Sequence, residues 1–287
     1  MGYIGAISLL DRIHCCNAAD LVAFVPWYAS GLVVGHVHRE RVPMLLGGGE
    51  PFGLEDGRLT LRAADFGSRS VALARVVDRL VAAGELRPVL GEYYPVAAGC
   101  APVPLLQIDR TAVAWFGVRA AGVHLNGYVR RASGLHLWVA ERSRRKRSYP
   151  GHLDNLVAGG SAIGLSARET LVKECHEEAG MAPSLAESAV PVGALRYVMQ
   201  DGRSLKPDVL DCFDLELPAD FVPQAIDGEV ESFRLWPVDE VVESVRGAGL
   251  WKPNCALVVI DFLLRHGALD ASVGAADRWD LWQRLRR

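Results

Sequence analysis

Three glutamates lie close together in the segment 159–181, whose sequence is GGSAIGLSARETLVKECHEEAGM. They are Glu174, Glu177 and Glu178, at positions i, i+3 and i+4, so a helix would place all three on one face. Like charges this close repel one another and destabilise a helix unless a cation compensates them. Carboxylate oxygens are the ligands that hard cations such as Mg²⁺ or Mn²⁺ prefer. The segment therefore predicts a magnesium or manganese site.

The same segment contains signals for both ends of a helix. Ser166 followed by Glu169 forms a capping box at the start, and Gly180 stands where a left-handed cap ends a helix. Leu171 and Cys175 supply an apolar side because they are four residues apart. We therefore expect a short capped helix whose carboxylates point away from the core. Cys175 is expected to be a packing residue and not a nucleophile.

The composition is that of a globular protein with ample core. The chain has 287 residues, of which 50% are apolar and 23% are charged, and this length accommodates one large domain or two ordinary ones. The formal net charge of −3 gives no general electrostatic reason to bind nucleic acid. We therefore expect a small-molecule ligand and not a nucleic-acid partner.

The cysteines and the first residues of the chain indicate the cellular compartment of the protein. The six cysteines form no CxxC pair and no secretory framework, which favours a reducing cytosol. The first residues lack the basic region of a signal peptide and reach Asp11 early. No apolar run approaches the length of a membrane span. These features predict a cytoplasmic protein without membrane contact.

Residues 1–112 predict a smaller α+β domain at the amino terminus. The expected elements are a helix over 4–18, strands over 21–28 and 31–38, a glycine-rich turn over 47–53, and a helix over 68–86 that ends near Gly84. This stretch contains no recognisable catalytic constellation. Substrate selection, formation of a homodimer and scaffolding are all compatible with it.

Residues 113–270 predict a second domain in which strands and helices are mixed and not regularly alternated. Expected strands cover 117–130, 135–141, 190–198, 208–217 and 229–235, and expected helices cover 238–245 and 254–266. This pattern predicts an α+β fold of the α-β-α sandwich type, with a mixed sheet between helices. Gly159 and Gly160 are expected to form a turn before the carboxylate helix, and residues 271–287 a carboxy-terminal tail.

A basic run, Arg142–Arg147, precedes the carboxylate segment. One interpretation is a nuclear-localisation or nucleic-acid patch, and another is a solvated loop. A third is a cationic rim that receives a diphosphate, which the neighbouring acidic helix makes attractive. The residues alone do not decide among these three interpretations.

The spacing within the carboxylate segment resembles the signature of the Nudix hydrolases, G-x5-E-x7-R-E-U-x-E-E-x-G-U, where U is an aliphatic residue. The matching positions are Gly159, Glu174, Glu177, Glu178, Gly180 and Met181. Two positions depart, because Leu165 replaces the first glutamate and Lys173 replaces the arginine. In Nudix enzymes these two residues chiefly brace the loop–helix–loop. Lysine lacks the bidentate fork of arginine, so the bracing is affected more than the metal site.

Flanking segments are similar to one Nudix subgroup, the relatives of the carboxy-terminal half of fungal thiamine pyrophosphokinase fusion proteins. The similar segments are 124–128, 137–140, 149–155, 227–231 and 251–254. The resemblance implies a Nudix fold preceded by a separate domain, and an Mg²⁺-dependent diphosphatase. The implied substrate is thiamine diphosphate, or its oxidised oxo and oxy derivatives, cleaved to the monophosphate.

The resemblance also implies roles for single residues. Glu174, Glu177 and Glu178 would bind the metal, and Glu177, Glu178 or Glu229 would be catalytic, with Glu231 as another candidate base. The predicted substrate-binding residues are Arg142, Lys146, Trp138, Tyr149, Asn126, Gly159 and Gly160. His124 is expected to be a hydrogen-bonded core histidine, with a ligand or base as the alternative.

Two alternatives to this function remain open. A Nudix pyrophosphatase acting on NADH or ADP-ribose would use the same metal site with another substrate. A catalytically silent Nudix-like binding module would explain the departures at Leu165 and Lys173.

Overall fold

The structure is a computed structural model that describes residues 7–47, 49, 51–99, 101–247, 249–269 and 272–286. Its amino-terminal elements are α1 (Leu9–Cys15), β1 (Phe24–Ala29), β2 (Leu32–His38), α2 (Val42–Leu46), β3 (Phe52–Glu55), β4 (Arg58–Leu61), α3 (Phe66–Ala82), β5 (Tyr93–Val96) and β6 (Leu106–Asp109). The strands form a four-stranded sheet in the order β2-β1-β4-β3 and a separate β5-β6 hairpin.

One apolar core holds the elements from β1 to β6 together. Helix α3 buries Leu73, Val76 and Val77 on one side, as the 3.6-residue spacing of its apolar side chains requires. The helix starts at Phe66, two residues before the predicted Ser68, because its capping box begins at Asp65. A left-handed Gly84 follows its end, as predicted.

The remaining elements follow Ala121. The strands are β7 (Ala121–Arg131), β8 (Gly134–Arg142), β9 (Leu153–Asp154), β10 (Val157–Gly160), β11 (Val190–Asp201), β12 (Ser204–Glu216) and β13 (Val230–Pro237). The helices are α4 (Ala167–Ala179), α5 (Pro183–Glu187), α6 (Val238–Arg246), α7 (Pro253–Arg265) and α8 (Ala275–Leu285). Within the described ranges, none of the helices is long and apolar enough to cross a membrane.

A seven-stranded mixed sheet lies at the centre of this part. Its order is β11-β12-β7-β8-β13, with β10 added to β7 and β9 to β8, and the β12–β7 pair is parallel while the others are antiparallel. Alternate residues of β8 enter different cores, because Leu137 and Val139 face α7 and Trp138 faces α4. The predicted mixed sheet between helices, with a smaller α+β region before it, is confirmed.

Several local expectations change in detail. Helix α1 covers only the middle of the predicted 4–18 helix, and residues 1–6 lie outside the described ranges. Residues 21–23 form a 3-10 turn before β1 starts at Phe24. Within the predicted turn 47–53, Gly48 and Glu50 lie outside the described residues, and β3 already starts at Phe52.

The glycine pair before the carboxylate helix is a strand and not the predicted turn. Gly159 and Gly160 end β10 and pair with Val123 and Gly122 of β7. The turn chemistry of glycine is outweighed here by the backbone hydrogen bonds that β7 offers.

The two ends of the chain pack together on the helical side opposite α4. Leu9 and Ile13 of α1 share a core with α7, and so do Leu281 and Leu285 of α8. Residues 27–118 form a core of their own. The boundaries 1–112, 113–270 and 271–287 remain predictions.

Candidate active site

We call the elements around the core of residues 27–118 the amino-terminal unit. A cavity of about 300 Å³ lies where this unit meets the edge of the mixed sheet. Gly160 of β10, Gly122 of β7 and Leu210 of β12 stand side by side across its floor. The charged side chains that line it are Arg110, Arg142, Lys146, Lys206, Asp208, Glu229 and Lys252. A cavity with this lining is suited to an anionic ligand, because cations outnumber carboxylates along the wall.

Helix α4 has the predicted caps. Ser166 and Glu169 form the reciprocal capping box, and Gly180 closes the helix with a φ of +63°. Leu171 and Cys175 are fully buried, so Cys175 is the packing residue expected. Glu169 bonds to Ser166 and therefore does not replace the glutamate missing at Leu165.

The three glutamates of α4 do not all point away from the core, and this part of the prediction is wrong. Glu178 is only 6% exposed, and the side chain of Glu174 is 16% exposed. Glu177 is half exposed. The reason is that α4 packs against β10, so the face that carries Glu174 and Glu178 turns towards the sheet edge.

Strand β10 holds both buried carboxylates. The backbone N–H of Ala158 donates to Oε2 of Glu178 over 2.9 Å. A Cβ atom at Gly159 would lie 2.2 Å from the carboxyl carbon of Glu174. The glycine that opens the signature is therefore required by the close approach of Glu174, and any side chain there would displace the carboxylate.

These carboxylates carry charge that the protein does not neutralise fully. Burial raises the pKa of Glu178 well above its ordinary value, and the nearby charges of Asp154, Glu174 and Glu229 raise it further. Burial also raises the pKa of Glu174, against the opposing effect of Lys173. A cation bound at this point would remove the repulsion, so the donor set fits a hard divalent ion.

Lys173, at the signature's arginine position, bridges two of the glutamates. Its Nζ lies 3.1 Å from Oε1 of Glu174 and 2.6 Å from Oε2 of Glu177. Burial lowers the pKa of Lys173, but the two carboxylates overcome this and raise it to about 12. Lys173 is thus a permanent cation that holds Glu177 beside Glu174 at the solvent side of the helix.

Glu229 reaches the cavity from the start of β13. Its Oε2 lies 2.5 Å from Nζ of Lys146, a residue of the basic run. Burial raises the pKa of Glu229, but Lys146 reverses the direction and holds it below the usual range. Glu231 is exposed and does not line the cavity, so Glu229 is the better placed of the two candidate bases.

Asp154 of β9 is a site residue to which sequence reasoning assigned no role. Its Oδ2 lies 2.7 Å from Nη1 of Arg142 and 3.5 Å from Nζ of Lys252. Burial would raise the pKa of Asp154, but Lys252 and Arg142 lower it to about 2. One buried carboxylate therefore orients two cations of the cavity wall. Its only sequence signal was its place in the similar segment 149–155.

Asp154 also belongs to a cluster with His124 and Cys255 whose donor atoms lie within 4.8 Å of one another, close enough to hold one metal ion. The Sγ of Cys255 donates to Oδ1 of Asp154 over 2.6 Å, and Nδ1 of His124 lies 2.8 Å from Oδ1 of Asn155. Burial lowers the pKa of His124 to about 4. These groups satisfy one another, as expected for a hydrogen-bonded core histidine, and two cations already compensate Asp154.

The structure separates the predicted substrate-binding residues into two groups. Those that line the cavity are Arg142, Lys146, Tyr149, Gly159 and Gly160. Trp138 and Asn126 do not line it, so the structure does not bring them together with the other five. Trp138 packs in the core against α4, and Asn126 is held by Asn155 and Asp214. Both are inward-facing strand residues, and a sequence does not reveal which inward face ends at a cavity.

The amino-terminal unit supplies a wall that the sequence did not predict. Tyr94, Arg110, Val113 and Ala114 line the cavity. The hydroxyl of Tyr94 lies over Gly160, 1.6 Å from where a Cβ atom would stand. No local pattern marks these residues, because they meet the site through tertiary packing.

The mixed sheet between helices and its cation-rich cavity together define a site suited to an anionic ligand. Over 97% of its length, the chain is 38% identical to "Nudix hydrolase 20, chloroplastic" of Arabidopsis thaliana, covering 78% of that protein. It is 39% identical to "Nudix hydrolase 24, chloroplastic" of the same organism, with the same coverage of both chains. The chain belongs to the Nudix hydrolase family, and it is an enzyme of the hydrolase class.

Two further comparisons describe parts of the chain. A family profile described as "Domain of unknown function (DUF4743)" matches residues 7–120. The crystal structure of DR0079 from Deinococcus radiodurans aligns with a TM-score of 0.46 at 22% identity, covering 58% of this chain and 97% of that one.

Proposed function

We propose that this protein is an Mg²⁺-dependent diphosphatase that cleaves thiamine diphosphate, or its oxo and oxy derivatives, to the monophosphate. The observation that carries the proposal is that a cluster of buried carboxylates lies directly against the wall of a cavity lined by cations. Glu174 and Glu178, whose pKa values are raised, contact Gly159 and Ala158, and these two residues line the cavity together with Arg142, Lys146 and Lys252. A metal ion with a diphosphate would complement both clusters.

Glu174, Glu177 and Glu178 would hold the ion, which is Mg²⁺ or Mn²⁺ by the chemistry of an all-oxygen donor set. When bound, the ion neutralises the diphosphate oxygens and polarises the P–O bond under attack. Lys173 donates to both Glu174 and Glu177 and holds the two carboxylates side by side.

The other steps fall to the chain's own residues. Arg142 and Lys252, fixed by Asp154, bind the diphosphate oxygens from one side, and Lys146 binds from the Glu229 side. Water attacks the terminal phosphorus, the bond to the bridging oxygen breaks, and the monophosphate leaves. Glu229 accepts the proton of the water because Lys146 keeps its carboxylate ionised.

The far end of the cavity supports a substrate with a polar heterocycle. There the hydroxyl of Tyr197 donates to Oδ2 of Asp208 over 2.7 Å, beside the apolar Met199 and Leu210. Asp208 lies on β12, two strands from β10 and two residues along the strand from Leu210, which is level with Gly160, so it is about 12 Å from Gly160 at ordinary strand spacing. A carboxyl group at that distance suits the amino group of a pyrimidine joined to a diphosphate, as in thiamine diphosphate.

The test is phosphate release in Mg²⁺ from thiamine diphosphate, its oxo and oxy forms, ADP-ribose and NADH. We expect the thiamine compounds to have the highest kcat/KM and Glu178→Gln to abolish turnover. Glu187→Gln, an exposed glutamate on α5, is the control that keeps activity. Higher kcat/KM for ADP-ribose or NADH would favour the nucleotide alternative. Diphosphate binding in calorimetry without any hydrolysis would favour the silent binding module.

A further inference from the structure

We propose that the amino-terminal unit supplies one wall of the active site, and that the Tyr94 hydroxyl donates a hydrogen bond to the diphosphate of the substrate. This inference rests on the proposed function for the identity of the ligand. It gives the region 7–120 a role in substrate binding, with Tyr94 as a substrate-binding residue.

The first observation is the place of Tyr94. Its side chain is 5% exposed and packs in the core of the amino-terminal unit, yet its hydroxyl emerges in the cavity against Gly160. The cavity brings that hydroxyl to the same space as Arg142, Lys146 and Lys252. A group that binds to the three cations therefore also lies within reach of Tyr94.

The second observation is that the hydroxyl opens into the cavity and is not one of the buried polar atoms that lack a partner. A ligand that displaces water from this hydroxyl must offer it an acceptor, because leaving a desolvated hydroxyl unpaired costs free energy. Burial raises the pKa of Tyr94 to about 12, so the group stays protonated and can donate. A phosphate oxygen is an acceptor that matches this donor.

The glycine pair of β10 gives independent support. Neighbouring residues in a strand point to opposite faces, so Gly159 makes room for Glu174 on one face and Gly160 makes room for Tyr94 on the other. The metal-binding helix explains Gly159 alone. Gly160 is explained by a tyrosine that approaches the strand from the amino-terminal unit.

Backbone hydrogen bonds hold Tyr94 in this position. Its neighbour Tyr93 accepts from the N–H of Ile163, in the loop before α4, over 2.8 Å. On the other side of β7, the N–H of Leu205 donates to Ala114 over 2.9 Å. The wall is thus bonded to the segment that carries the metal ligands, and its position relative to them is determined by the fold.

The test compares Tyr94→Phe with Tyr93→Phe, which makes the same change at the neighbouring residue with an exposed ring. We expect Tyr94→Phe to lower kcat/KM for thiamine diphosphate about 10- to 100-fold and Tyr93→Phe to leave it unchanged. Thermal unfolding checks that both variants fold. Gly160→Ala, which places a methyl group where the hydroxyl lies, is the second variant and should also lose activity.

A binding measurement separates this inference from the choice of substrate. Methylenediphosphonate cannot be hydrolysed, and in Mg²⁺ its affinity by calorimetry should fall about 10-fold in Tyr94→Phe. If the wild type releases no phosphate from thiamine compounds, the proposed function fails while this measurement still tests Tyr94. Equal affinity and equal kcat/KM in the two variants would overturn the inference, as would a wild type that does not bind methylenediphosphonate.

Discussion

Two groups of buried acids lie directly behind residues that line the cavity, and the protein treats their charge differently. Asp154 is surrounded by Arg142 and Lys252, which lower its pKa to about 2 despite burial. Glu178 receives one backbone N–H and faces other carboxylates, so burial keeps its pKa well above the ordinary value. The first group is neutralised by the protein and orients cations. The second is left in need of a cation from outside.

The difference in charge compensation distinguishes the two candidate metal sites, the His124–Asp154–Cys255 cluster and the glutamates of α4, more clearly than the distances between their donor atoms do. The donor atoms of His124, Asp154 and Cys255 are close together but already bonded to one another and compensated. The glutamates of α4 lie at a strand edge with unbalanced charge. Charge balance therefore favours the glutamates over the His124 cluster as the candidate divalent-metal site, while Asp154 positions the cations Arg142 and Lys252.

The largest effect is expected from Glu178→Gln. Glutamine can still accept the hydrogen bond from the N–H of Ala158, but the buried carboxylate is lost. Without this metal ligand, kcat should fall about 1,000-fold. The metal-free protein should unfold at the same or a higher temperature, because a buried carboxylate is costly to keep. Steady-state kinetics and calorimetric unfolding without metal check both outcomes. A variant that unfolds at a lower temperature would show that the charge is compensated after all.

The next effect is expected from Asp154→Asn. Removing this carboxylate leaves Arg142 and Lys252 as buried cations without their partner, so the free energy of unfolding should fall by about 3 kcal/mol. Denaturant unfolding measures it. Asp201→Asn, which breaks an exposed pair with Lys206, is the control and should change stability by less than about 1 kcal/mol. Similar losses in both variants would contradict the assigned role.

The dependence of the unfolding free energy on pH should also reflect Asp154, with a smaller effect. Because the pKa of Asp154 is lowered in the folded state, its stabilisation is fully present above about pH 4 and is lost as the pH falls towards 2. The shift corresponds to about 2 kcal/mol. The difference in unfolding free energy between wild type and Asp154→Asn, followed from pH 5 to 2, should shrink over that window. If this difference in unfolding free energy stayed constant from pH 5 to 2, the stabilisation would not come from the ionised Asp154.

The smallest effect is expected at Lys173. Lys173→Arg restores the residue of the Nudix signature and keeps the cation between Glu174 and Glu177, so kcat should change less than about 3-fold. Lys173→Met, which removes the cation, is the comparison and should change the Mg²⁺ concentration needed for half-maximal activity. A strong increase of kcat in the arginine variant would show that Lys173 braces the loop–helix–loop less well than the arginine of the signature.

Local and periodic features of the site were predictable from the sequence. The capping box at Ser166, the left-handed Gly180 and the burial of Leu171 with Cys175 depend on residues within one or two turns of helix. The spacing of the Nudix signature belongs to the same helix and its preceding strand. Such features are encoded by neighbouring residues, so the order of residue types is enough to find them.

Features that need the position of distant segments were missed. The direction of Glu178, the absence of Trp138 from the cavity, and the arrival of Tyr94 all depend on which face of a strand or helix meets which neighbour. The alternation of apolar and polar residues along a strand predicts which side chains point inward. It does not tell whether the inward space is a packed core or a cavity.

By itself, the sequence determined that this protein carries a capped acidic helix of the Nudix type in a mixed α+β fold, because those signals are short-range. Only the tertiary structure decided how the charges are shared. Packing of α4 on β10 buries Glu174 and Glu178, and pairing of β9 with β8 brings Asp154 to Arg142. The approach of β5 to Gly160 makes the amino-terminal unit a wall of the cavity. Coulombic and packing energies depend on distances across the fold, and these exist only once distant segments have come together.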